Sequence, residues 1–147
     1  MDEKKNDLGE DRKIENAAED KQKPEGWEKD ENFTLQNILL GIPVMAKKRY
    51  KNNVIEFRSL SSAEVDDIGM PYNLMRFSDS RKFNRDMLAR SIVSINNQPL
   101  PCGDSLEKRV EWISNLPDAM FDLLVMLYSE FKFLLQAEMT EEKLVNF

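Results

Sequence analysis

The chain has 147 residues, 33 % charged and 41 % hydrophobic, with 21 basic and 27 acidic side chains, a net charge of −6 and no histidine. That size suits one modest domain, with or without a tail. With no histidine and a single cysteine, Cys102, a Ser-His-Asp or Cys-His nucleophile, a Cys/His metal cluster and an intramolecular disulfide are all excluded.

The glycines Gly9, Gly26, Gly41, Gly69 and Gly103 are too scattered to form a phosphate-binding loop. No catalytic residue, metal site or cofactor is therefore expected, and function is sought in surfaces. Asp122, Glu130 and Lys132 interrupt the longest apolar stretch, which falls short of the roughly 20 residues of a membrane span. The sequence is charged from Asp2 onward, so no secretory signal is expected and the cytoplasm is the natural compartment.

Residues 1–32 hold twelve acidic and seven basic residues, nearly all of the net charge. Such a segment buries too little apolar surface to offset its ordering entropy, and it reads as a disordered, charged arm. Trp27 is its one large aromatic residue and the candidate anchor on a partner. Residues 33–147 read as a single helical domain.

Phe33, Leu35, Ile38, Leu39, Leu40 and Ile42 open that domain as a short helix or strand ended by Gly41 and Pro43. Val44 to Tyr50 and Val54 to Arg58 read as two strands around Lys51-Asn52-Asn53. The cations Lys47, Lys48, Arg49 and Lys51 have no basic continuation, so they read as a solvated edge and not as a nucleic-acid site. Ser61 with Glu64 forms a capping box, with Leu60 and Val65 as a hydrophobic staple, which starts a helix at Ser62 that stops near Gly69. Tyr72, Leu74, Met75 and Phe77 are expected to fill core space, with an exposed interface as the alternative. Ser78 or Ser80 is expected to cap the next helix, with Phe83, Met87, Leu88, Ile92 and Ile95 inward and Arg81, Lys82, Arg85 and Arg90 in solvent.

Asn96-Asn97 predicts a tight turn that folds Ser94-Ile95 back on Gln98–Leu100, with Pro99 and Pro101 keeping that hairpin at an edge. Asp104 with Glu107 reads as a second capping box for a helix carrying Leu106, Val110, Ile113 and Leu116. After the break at Leu116-Pro117, Met120, Leu124, Leu127, Phe131 and Leu134 form a continuous stripe on a long, nearly all-round apolar helix. Phe121, Val125, Tyr128 and Leu135 lie beside that stripe, and Asp122, Ser129 and Gln136 form a polar seam. The helix is expected to fray past Gln136, and Leu144, Val145 and Phe147 read as a docking tail. The predicted fold is mainly α (α+β): a helical domain with one or two small β-hairpins around a long central C-terminal helix.

Three stretches together resemble the tail assembly chaperones of tailed bacteriophages and the related baseplate hub assembly proteins of contractile-tailed phages. Ile55 to Glu64 matches a strand and capped helix of the type V-x-x-R-x-L-[ST]-x-x-E. Leu88 to Leu100 matches a helix running into a short β-turn, with Asn97 where such chaperones often carry Gly. Arg109 to Pro117 matches R-x-x-[WY]-[IL]-x-x-L-P, followed by an apolar helix with a tyrosine, Tyr128. The similarity spans residues 44–136 and leaves out the charged arm.

The resemblance implies a binding protein of the host cell cytoplasm during phage assembly, with phage tail proteins as partners (the tape measure protein or baseplate hub components). It implies no enzyme activity, and neither nucleic acid nor membrane is expected as a partner; a homo-oligomer is possible. The alternative is a structural virion protein of the baseplate hub or tail, and a third class is a host-side regulatory adaptor. Trp112, Met120, Leu127, Tyr128, Phe131 and Trp27 are the expected partner contacts, with helices wrapped on the last helix leaving one groove for a helical client. Met120, Met126 and Met139 would supply adaptable contact surface.

Overall fold

Two dipeptides with positive φ set the sheet: Lys51 (46°) with Asn52 (67°), and Asn96 (54°) with Asn97 (61°). Left-handed backbone at both central positions is the type I′ geometry whose twist matches a two-residue hairpin, and asparagine tolerates it well. The computed structural model describes residues 26–145, with side chains through residue 140. Lys51-Asn52 joins strands β2 (Met45–Tyr50) and β3 (Asn53–Arg58). Asn96-Asn97 joins β4 (Ile92–Ile95) and β5 (Gln98–Pro99), as predicted. With β1 (Trp27–Lys29), these make one antiparallel sheet ordered β1-β2-β3-β4-β5.

The helices are α1 (Leu35–Leu39), α2 (Ser62–Gly69), α3 (Phe77–Ser91), α4 (Leu106–Ser114) and α5 (Asp118–Val145). Five strands and five helices among the described residues make an α+β fold, which corrects the mainly α expectation. The reason lies in long-range pairing: β1 sits inside what composition reads as an arm, and the β1–β2 and β3–β4 pairings join the two predicted hairpins into one sheet. The arm's boundary moves accordingly. Trp27↔Lys48, Glu28↔Lys47 and Lys29↔Ala46 pair in register, so the folded part begins before residue 32. Residues 1–25 lie outside the described residues, as do the side chains of the C-terminal tail.

One sheet face packs against α5. Phe57, Phe131, Leu88, Ile92, Ile113, Leu127 and Val44 are the largest apolar side chains with almost no exposure. Phe57 stacks on Phe131 at 6.0 Å, and Trp27 meets both rings at 5.7 and 5.9 Å. β1 is fastened to the same helix by polar contacts. The Trp27 indole N–H donates to Glu130 Oε1 at 3.0 Å, Lys48 Nζ reaches the same oxygen at 3.0 Å, and Lys29 Nζ meets Glu138 at 2.8 Å. Lys48 is thus not part of a solvated edge. On the opposite face Glu28, Lys47, Glu56 and Ser94 align across four strands, an alternation of charge that supports neighbouring pairs. Burial, then the hydrogen bond with Asp30, raises the Glu56 carboxyl above its ordinary value.

Local capping explains where some helices start. Ser61 Oγ accepts from Glu64 N and Glu64 Oε1 accepts from Ser61 N, each at 3.1 Å, the capping box read from the sequence. Arg58 adds a two-pronged contact to the same carboxylate at 2.9 and 3.2 Å. The other expected caps differ. α3 starts at Phe77 with no side-chain cap, and α4 is preceded by Ser105, not Asp104, again with none. α5 continues past Gln136, where Thr140 Oγ1 donates back to the Gln136 carbonyl at 2.7 Å. No helix among the described residues is long and apolar enough to cross a membrane.

Candidate interaction surface

At its C-terminus α3 leaves carbonyls without helical partners, the usual need of a helix end. Arg109, projecting from α4, donates through Nη1 to the carbonyls of Ala89 at 2.9 Å and Ile92 at 3.0 Å. A guanidinium there also complements the helix dipole. This clamp fixes α4 against the α3–β4 junction. α4 then ends at Asn115, Pro117 prevents its continuation, and the Pro117 carbonyl accepts from Met120 N and Phe121 N as α5 begins. The α4–α5 corner is therefore rigidly placed over the sheet.

Beneath that corner the sheet is not sealed. A groove of about 900 Å3 runs between Trp112 and Leu116 on one side, Met120, Leu123 and Met126 on another, and Ile55 and Ile95 on the floor. Tyr50, Lys51 and Asn53 form its rim at the β2–β3 turn. The rim is tied in place, because Asn96 Oδ1 accepts from Val54 N at 2.8 Å and Asn96 Nδ2 donates to Asn53 Oδ1 at 3.1 Å. Met120 is 40 % and Met126 50 % exposed. Burying the remainder of each against a partner is worth on the order of 1 kcal/mol.

The six residues expected to contact a partner separate into three groups. Trp112 and Met120 come together in the groove. Leu127 and Phe131 are 1 % and 0 % exposed, so they belong to the core and cannot contact a partner. Tyr128 and Trp27 are half-buried and pack on that core. Tyr128 lies 6.4 Å from both the Phe57 and Phe131 rings, and burial pushes its hydroxyl up to about 12, with nearby Arg58 opposing the rise. Trp27 is an intramolecular anchor on α5. The stripe on α5 was legible from spacing, but spacing alone cannot tell the core side from the groove side.

A second apolar surface lies where burial is the main expectation. Leu74, Met75 and Phe77, expected in the core, are 52 %, 94 % and 78 % exposed, and Met70 is 80 % exposed. The loop that carries them is held firmly. Asn73 N donates to Asp79 Oδ2 at 3.0 Å, Asn73 Oδ1 accepts from Met75 N at 3.1 Å, and Tyr72 donates to Asp86 at 2.8 Å. The residue at the N-cap of α3 is Arg76, whose guanidinium has no acceptor to offer the helix, so α3 has no side-chain cap. Arg81 and Arg85 are not a free solvated face: both lie over the Phe121 ring, at 4.6 and 5.9 Å, and Arg81 pairs with Asp118. No protein-family model matches the chain, and neither a curated protein nor a solved structure matches it significantly.

Proposed function

We propose that this chain is a non-catalytic assembly protein of a bacteriophage tail or baseplate, acting as a chaperone that holds an apolar helical segment of a tail component such as the tape measure protein. The groove under the α4–α5 corner carries this reading, since it is apolar, walled by adaptable methionines and set on a rigid frame. The residues behind the resemblance support it with definite structural roles: Arg58, Ser61 and Glu64 fix α2, Arg109 fixes α4, and Trp112 lines the groove. The histidine-free composition favours a binder over a catalyst. The compartment of action is the host cytoplasm during assembly.

A structural protein of the baseplate hub or tail is the second reading, favoured by the exposed Met70–Phe77 loop, which suits a subunit with several neighbours. Quantitative mass spectrometry of infected-cell lysate and of purified phage particles separates the two. Abundance in lysate with absence from particles is the chaperone result. A small fixed copy number in particles would assign the chain to the virion instead.

A further inference from the structure

We infer that the Met70–Phe77 loop of one copy docks into the groove under the α4–α5 corner of a second copy, so that the chain self-associates through two different surfaces and a client must displace the loop. This builds on the proposed client role of the groove. A loop pinned by Asn73, Asp79 and Tyr72 loses little entropy on binding, and it holds Met75 94 % and Phe77 78 % exposed, with Arg81 over the Phe77 ring at 5.6 Å. The groove offers an apolar concavity of about 900 Å3, large enough for side chains of this kind.

Charge is complementary too. Exposed Arg76 sits between the loop's two apolar tips, and the groove wall carries Asp122, 66 % exposed and held by its own chain only at 3.8 Å from Arg81. Asp66 and Asp67, exposed on α2 ahead of the loop, have a counterpart in Lys51 at the groove rim. Because loop and groove are different patches, the contact closes either as a reciprocal pair or as a ring, and otherwise continues as a filament.

The test is sedimentation velocity with light scattering on the full chain across a wide concentration range. Wild type is expected to exceed the 17.2 kDa of one chain as concentration rises. A loop variant (Met75→Asp with Phe77→Ser) and a groove variant (Met120→Asp with Met126→Asp) are each expected to remain monomeric. All four positions are exposed, and unchanged circular dichroism verifies folding. Mixing the two variants restores one intact loop and one intact groove, and is expected to yield a species of twice the single-chain mass. A wild type that stays monomeric, a loop variant that associates like wild type, or variants that fail to pair would each overturn the inference. So would association that is lost only on removing residues 1–25, which would make that segment the occupant. Binding of a purified tape measure segment to the loop variant keeps the two readings apart. Its groove is intact, so retained binding upholds the client role whatever becomes of self-association, and lost binding counts against the client role alone.

Discussion

Glu64 concentrates several interactions in one carboxylate: two prongs from Arg58 and the backbone N–H of Ser61. The Arg58 hydrogen bond first, outweighing burial, lowers its pKa from 4.5 to about 2. The folded state therefore holds this proton more weakly than the unfolded chain. Its contribution is fully present above about pH 4.5 and is lost as pH falls toward 2. Glu64→Gln should lower stability at neutral pH by about 1–2 kcal/mol and flatten that acid limb, as read by urea unfolding at a series of pH values. Tyr128 acts at the other extreme. Its hydroxyl, raised to about 12, keeps the neutral form in the fold, so stability is full below pH 10 and falls as pH rises through 12. Arg109→Met leaves two carbonyls without their cationic donor and should cost about 2–3 kcal/mol, measurable as a lower denaturation midpoint with an unchanged slope.

Among the elements, β1 best shows how a strand can be built from charged residues. Trp27 and Lys29 face α5, and the lysine is tolerated because Glu138 receives it there. Removing residues 1–29 should lower the melting midpoint well below that of a chain lacking residues 1–25. Trp27→Ala should account for most of the difference, about 2–4 kcal/mol. Elements defined by neighbours in sequence were legible: the Ser61–Glu64 capping box, the Asn96-Asn97 hairpin and the Pro117 break all depend on residues within a few positions. β1 was not, because its partners Glu130 and Glu138 lie about a hundred residues away and make charged residues acceptable in a strand. The Met70–Phe77 loop was misread for the opposite reason. Aromatic and aliphatic residues normally signal burial, whereas here Asn73 and Asp79 hold the loop backbone and Asp86 holds the Tyr72 hydroxyl, so that Leu74, Met75 and Phe77 are left exposed.

Over the whole molecule, the sheet and α5 share one aromatic core, and the α4–α5 corner leaves part of that interface open. Of the six expected contacts, Leu127 and Phe131 therefore belong to the core, while Trp112 and Met120 form groove wall. Substitutions should divide in the same way: Phe131→Asp should unfold the protein, because it places a charge in a site with no exposure, whereas Met120→Asp should leave it folded. The most direct test of the groove's role is the affinity of a purified tape measure segment for wild type and for the Met120→Asp, Met126→Asp variant, measured by isothermal titration calorimetry. The expected result is a variant with the wild-type circular dichroism spectrum and an affinity at least about tenfold weaker, the loss typical of a contact residue worth more than 1 kcal/mol. A folded variant that binds the segment as tightly as wild type would contradict the groove as the client site.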